Sequence, residues 1–209
     1  MKKVLLLATV AIAFVFSTNA QIRKGSILLG GSVGFTTSSY KNLNTESSSN
    51  SVLLSPQFGY TFKENNVAGL RLTYNSNNNQ HQNYPESESS GYSAGLFYRR
   101  YISLSNKFFL FGEGGADYGV NNYNNGSGSE FEGKTIGLNL FPGISYAVGK
   151  RFQLEAVLND LLRVSYSTGK NIDNTGTSPV ESKTNAFSIG TNLSSQMPLT
   201  IGFRFVLGK

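Results

Sequence analysis

Residues 51–63 read Ser-Val-Leu-Leu-Ser-Pro-Gln-Phe-Gly-Tyr-Thr-Phe-Lys; Glu64-Asn-Asn66 follows, and then Val-Ala-Gly-Leu-Arg-Leu-Thr-Tyr-Asn over 67–75. Val52, Leu54, Pro56, Phe58, Tyr60 and Phe62 take every second position. Ala68, Leu70, Leu72 and Tyr74 do the same after the break. A period of two marks a strand with one apolar face. The short polar break suits a tight antiparallel turn. This stretch therefore reads as a hairpin.

The same alternation runs outward in both directions. Upstream, 26–37 places Ile27, Leu29, Val33 and Phe35 on one face. Downstream, 91–102 places Tyr92, Ala94, Leu96, Tyr98 and Ile102 together, and 108–120 does so for Phe108, Leu110, Ala116, Tyr118 and Val120. Segment 134–148 aligns Ile136, Leu138, Leu140, Pro142, Ile144, Tyr146 and Val148. Segment 151–166 begins with Phe152, Leu154, Ala156 and Leu158, and 197–207 aligns Met197, Leu199, Ile201, Phe203 and Phe205. The opposite face is rich in Gly, Ser and Thr.

That pattern predicts eight strands. After strands two, four and six the connections are short, at 64–66, 104–107 and 149–150. After strands one, three, five and seven come long polar segments, at 38–50, 76–90, 121–133 and 169–183, expected as loops. An even strand number with short turns at one end and long loops at the other is the organisation of a transmembrane barrel. Alternation alone does not say which face points inward, but the narrow lumen of a small barrel takes small residues and lipid takes aliphatic and aromatic ones. The expected fold is all-β: an eight-stranded antiparallel up-and-down transmembrane β-barrel. Tyr and Phe gather toward both strand ends, where amphipathic rings favour the water–lipid boundaries.

Composition agrees. Charged residues make up 14%, there are 23 glycines, and there is no cysteine to form a disulfide or carry a lipid. Residues 1–20 read as a signal peptide: Lys2 and Lys3, an apolar run from Val4 to Phe16 too short to span a membrane as a helix, and a small-residue site ending at Ala20. That leaves 21–209 as one barrel domain. The formal charge of +6 falls to +4 without Lys2 and Lys3. The four polar segments carry three lysines against seven carboxylates, a net −4, so +8 is distributed over strands and turns. No basic stripe with interleaved aromatics stands on a single element, which argues against nucleic acid.

The Ala20-Gln21 junction, the eight alternating segments and the final Leu199-Thr-Ile-Gly-Phe-Arg-Phe205 resemble the outer-membrane β-barrel domain family common in the Bacteroidetes, similar in architecture to the OmpA, OmpW and OmpX barrels. The resemblance covers the whole chain after residue 20. It implies the outer membrane, both termini in the periplasm, contact with outer-membrane lipid and lipopolysaccharide, and insertion by the barrel-assembly machinery. Members of such families serve as anchors, adhesins, resistance factors or, rarely, enzymes. Many end on an aromatic residue; here Phe205 is followed by Val-Leu-Gly-Lys.

Arg71, Arg99, Glu113, Asp117, Glu155 and Arg204 fall on the small-residue face. Unpaired buried charge is costly, so these side chains are expected to pair as a structural polar network in the lumen. Glu113 and Asp117 are four strand residues apart, about 13 Å, too far for a pair of glycosidase carboxylates. The sole histidine, His81, sits in an Asn-rich segment without an ordered carboxylate and nucleophile beside it, and a metal needs several convergent ligands. Gly112-Glu113-Gly114-Gly115 and Gly30-Gly31 lie within strands, not at the strand–loop–helix junction of a phosphate cradle. No enzyme, cofactor or metal is expected. Function falls to the four polar segments, which suit an adhesin-like surface role. Two other classes stand beside it: a soluble periplasmic barrel of lipocalin type with its apolar face inward, and a lipid-modifying enzyme at the rim. Asp160 would face lipid if strand seven ran unbroken, so either a bulge near 159–160 or a rise of strand seven above the bilayer at that point is expected. Segment 184–196 alternates as an outward extension of strand eight.

Overall fold

The computed structural model describes residues 22–42, 45–82, 84–158, 161–174, 179–191 and 199–208. The signal peptide expected over 1–20, Asn159–Asp160 and residues 192–198 lie outside them. Ten strands follow in order: β1 (Ile27–Asn42), β2 (Thr45–Lys63), β3 (Asn66–His81), β4 (Tyr84–Ser103), β5 (Phe108–Asn124), β6 (Ser129–Ala147), β7 (Phe152–Leu158), β8 (Leu162–Asp173), β9 (Val180–Gly190) and β10 (Leu199–Leu207). They build eight staves. β7 and β8 are the lower and upper parts of the seventh, because both pair with β6. β9 and β10 form the eighth, pairing with β8 and β7 respectively. β10 then pairs with β1 from Ile27↔Leu207 to Val33↔Ile201 and closes the ring. Every pairing is antiparallel between neighbours.

Strand seven is irregular between Val157 and Leu162. Val157 pairs with Gly143 while Leu162 pairs with Leu140. Five steps along the seventh stave thus match three along the sixth, an insertion of two residues. An even insertion keeps the faces in phase, so Leu154 and Tyr166 both point outward and Glu155 and Arg163 both point inward. Residues 184–190, expected to extend strand eight, lie in β9.

The barrel is inverted relative to a soluble protein. Leu96 is 64% exposed on its exterior and Ile201 66%, while Arg99 and Glu113 are 2% and 1% exposed inside. A soluble barrel of lipocalin type needs the opposite arrangement, so that alternative does not describe this fold. Ring pairs on the outer surface, such as Tyr74–Tyr92, Phe108–Tyr146 and Phe152–Phe205, have centroids 5.0, 4.8 and 5.1 Å apart. They stand toward the two ends of the apolar band.

Two expectations are corrected. The segments 38–50, 76–90, 121–133 and 169–183 are mostly strand. β2 and β3 stay paired up to Ser47↔His81, and β5 and β6 up to Asn124↔Glu130. Asn, Ser and Gly have low strand propensity, but the ladder is made by backbone, and polar side chains reinforce it across strands: Ser51 Oγ donates to Asn77 Oδ1 at 3.0 Å, and the Thr135 and Ser167 hydroxyls are 2.8 Å apart. β4 has 20 residues, roughly 66 Å of strand at ~3.3 Å per residue. Tilted by about 40°, it stands about 50 Å tall and overtops a hydrocarbon core of about 30 Å. The barrel therefore rises above any bilayer as a stiff polar rim.

The lumen is the second correction. Small residues do not line it throughout. At the short-turn end Leu28, Val67, Phe97, Tyr101, Phe109, Phe111 and Val157 pack into a core. Glycines make room for the rings. The position a Gly143 Cβ would take lies against the Phe111 ring and the Ala156 carbonyl, and that of Gly69 meets Phe97. Gly143→Val should therefore cost about 1–3 kcal/mol as overpacking, read as a lower heat-unfolding midpoint in detergent. Gly112→Ala, whose Cβ meets nothing within 4 Å, should leave the midpoint unchanged.

Candidate lumen site

Directly above the aromatic core, charged side chains from five of the eight staves meet, joined by amide side chains from two more. Glu113 on β5 receives Arg71 Nη1 of β3 on one oxygen at 2.6 Å and Arg99 Nε of β4 on the other at 2.7 Å. Arg99 Nη1 donates onward to Glu155 Oε1 of β7 at 2.7 Å and to the Tyr101 hydroxyl at 2.8 Å. Arg204 Nη2 of β10 stands 3.3 Å from Glu155 Oε2 and donates to Gln57 of β2. Toward the rim, Arg71 Nη2 donates to Asn139 Oδ1 of β6 at 2.9 Å, Asn139 donates to Asp117, and Arg163 Nη2 of β8 donates to Asp117 Oδ1 at 2.8 Å.

All six residues singled out from the sequence thus lie in one connected chain. Arg163, Asn139, Gln57 and Tyr101 were missed. Arg163 does have a signal in the sequence, since it stands eight residues from Glu155 and so on the same face of the alternation. Tyr101 and Phe111 carry one too, as aromatic residues on the face otherwise rich in glycine. Their rings take part directly: the Arg99 guanidinium lies 4.0 Å from the Phe111 centroid, and that of Arg71 lies 4.3 Å from Phe141. Planar, delocalised guanidinium suits this double use, bidentate to carboxylate and stacked on a ring.

Each of the three lumen carboxylates, Glu113, Asp117 and Glu155, is paired with at least one arginine. Glu113 and Glu155 are held in the stack at 1% and 3% exposure. His81 lies at the far end of β3, exposed, paired with Ser47 and Tyr84 of its neighbouring strands. Among the described residues no group of three His, Asp or Glu converges for a metal.

Above the network the lumen opens toward the rim as a cup of about 630 Å³. Its floor is Arg71, Glu113, Phe141 and Val157; hydroxyls and amides such as Ser55, Thr73, Asn75, Ser93 and Thr135 make its walls. Through-passage is blocked below by the ion pairs and the rings. The wall of the cup is uneven. β1 above Val33 pairs only with β2, and β9 pairs only with β8 among the described residues.

No family model and no curated protein matches the sequence. Among solved structures, the outer membrane protein OprG from Pseudomonas aeruginosa superposes with a TM-score of 0.54 at 14% identity, over 90% of this chain and 98% of that one. Neisserial surface protein A aligns over 87% of this chain and 97% of its own at 15% identity, with a TM-score of 0.40. The chain is a closed eight-stranded antiparallel barrel. It shares that fold with OprG.

Because Glu113 sits between two guanidiniums, Glu113→Ala leaves buried positive charge uncompensated and should cost about 3–5 kcal/mol. The exposed Lys41–Glu46 pair, 2.9 Å apart, is of the surface kind worth at most about 1 kcal/mol. Heat-unfolding midpoints in detergent should fall strongly for Glu113→Ala and barely for Glu46→Ala.

Proposed function

We propose that this protein resides in the bacterial outer membrane, with the short turns and both termini in the periplasm, and acts as a non-conducting, non-enzymatic scaffold that presents a polar rim to the outside. One observation supports this most: the lumen is filled at the short-turn end and open at the other, so the barrel offers a cup and has no continuous passage. The apolar exterior supports residence in lipid, since backbone in lipid must be satisfied internally and a closed barrel does so. The likeness to OprG supports the fold.

The rim is the interaction surface in this reading. It consists of the upper parts of 38–50, 76–90, 121–133 and 169–183, dense in Ser, Asn and Tyr. Hydroxyls and amides both donate and accept, which suits neutral, hydrogen-bonding partners such as surface polysaccharide. Carboxylates outnumber cations there. Lys41 and Lys170 are held protonated above the usual lysine range by hydrogen bonds to Glu46 and Glu181. Lipid and lipopolysaccharide surround the barrel, and the barrel-assembly machinery inserts it. The Bacteroidetes-type family suggested by the sequence belongs to this same reading.

Orientation and sealing are both testable. The chain has no cysteine, so single introduced thiols report unambiguously. Ser127→Cys, at the β5–β6 turn of the rim, should react with a membrane-impermeant maleimide on intact cells. Asn106→Cys, in the β4–β5 turn, should react only after permeabilisation. The reverse pattern sinks the orientation. In planar bilayers the purified protein should give no single-channel steps, and regular steps would refute the sealed lumen.

A further inference from the structure

The +8 that appeared scattered in sequence is sorted by the fold. Four lumen arginines meet three lumen carboxylates, and most of the remaining cations stand at one end. Arg23, Lys24, Lys63, Arg100, Lys107, Lys150 and Arg151 lie at the short-turn end, all exposed, with Glu64 the only carboxylate beside them among the described residues. The rim has the opposite sign, with Lys41, Lys134, Lys170 and Lys183 against seven carboxylates.

We propose that this basic collar is a docking surface for the phosphate headgroups of anionic phospholipid in the adjacent membrane leaflet. The inference rests on the membrane reading above and specifies a lipid class and the residues that hold it. Three observations carry it. None of the seven cations forms an ion pair among the described residues, whereas the rim cations Lys41 and Lys170 do. The collar sits at the right depth. Arg100 follows Tyr98 on the outer face, two positions further toward the turn end, and Lys107 adjoins Phe108 of the Phe108–Tyr146 pair. Rings of this kind mark the water–lipid boundary, so the cations stand at headgroup level. The collar is also rigid. Tyr101 N donates to the Asn65 carbonyl at 2.8 Å, Asn65 N to Ile22 at 3.0 Å, Ala147 N to Lys107 at 2.7 Å and Val206 N to Arg151 at 2.8 Å. Asn65 takes the left-handed conformation, φ 60°, and its Oδ1 accepts from Ile22 N at 2.9 Å. These bonds fix the backbone that carries the cations, so only side-chain freedom is lost when they meet phosphate. Each basic residue near an anionic surface adds to binding, and the effect fades with salt.

The test uses the protein purified from membranes and refolded into phosphatidylcholine vesicles with and without a minority of phosphatidylglycerol. Unfolding in urea is followed by gel mobility without heating. At low salt, phosphatidylglycerol should lower the unfolding equilibrium constant by about fivefold or more, equivalent to one or more headgroup contacts. Raised salt should abolish the difference. The variant carrying Arg23→Gln, Lys24→Gln, Arg100→Gln, Lys150→Gln and Arg151→Gln should lose it. Lys41→Gln with Lys170→Gln and Lys183→Gln should keep it. If the fivefold variant does not refold, Lys150→Gln with Arg151→Gln should show a reduced effect. A phosphatidylglycerol effect that is absent, or that survives in the collar variants, overturns the proposal. So does a collar variant that keeps the lipid effect but loses binding to isolated peptidoglycan, which would make an acidic polymer the partner. Failure of the unaltered protein to fold into pure phosphatidylcholine vesicles would instead strike at the membrane reading.

Discussion

Glu113 is 1% exposed and lies between two arginines, and the rest of the barrel depends on that position being satisfied. A carboxylate deep in a narrow lumen pays a large desolvation cost that only well-placed cations offset. The cations arrive from β3 and β4, the next carboxylate from β7, and the next arginine from β10. Each must therefore hold its register. A slip of one residue in any stave would send its charge into lipid and an aliphatic side chain into the network. The two-residue insertion in the seventh stave obeys the same rule, since an odd insertion would have turned Arg163 outward. Buried ion pairs of this kind are weak contributors to stability. They strongly disfavour every wrong pairing.

Below that network the aromatic core gives the volume that salt bridges cannot. Phe111 serves both layers. The tip of its ring stands against the wall at Gly143, and the ring also lies under the Arg99 guanidinium. Above the network the lumen is left open, and the strands continue past the apolar band. Because the same ladders that cross the lipid also build the rim, the polar residues there are held on a continuous sheet. The barrel is also electrically polar, with cations that form no ion pair among the described residues at one end and a carboxylate excess at the other. Rim and collar thus face two chemically distinct surroundings.

The alternation of 51–75, repeated over eight segments with short and long connections in turn, was enough to read the barrel, because a two-residue period with one lipid-facing side leaves a strong signature. The six lumen charges were legible for the same reason: each sits on the face that could not be lipid. Other features were hidden by physics that a single segment does not carry. Asn75 to His81 looks like loop by composition, and only its partners in β2 and β4 make it strand. Arg163 shares the face of Glu155 by simple alternation, but its level beside Asp117 appears only when the offset in the seventh stave is known. Phe97, Phe109 and Phe111 sit on the polar face, and the glycines that admit them lie on other strands. The sorting of charge to one end likewise appears only when the short turns are brought together.

The most direct test of a lipid-embedded barrel held shut from within is heat-modifiability of the protein in the outer-membrane fraction. The fraction is extracted in detergent, and unheated and boiled samples are run side by side on a denaturing gel. The closed barrel should resist the detergent, migrate faster unheated, and shift to its full apparent mass on boiling. A protein found soluble in the periplasm, with identical mobility before and after boiling, would contradict an apolar face turned to lipid and a charged network sealed inside.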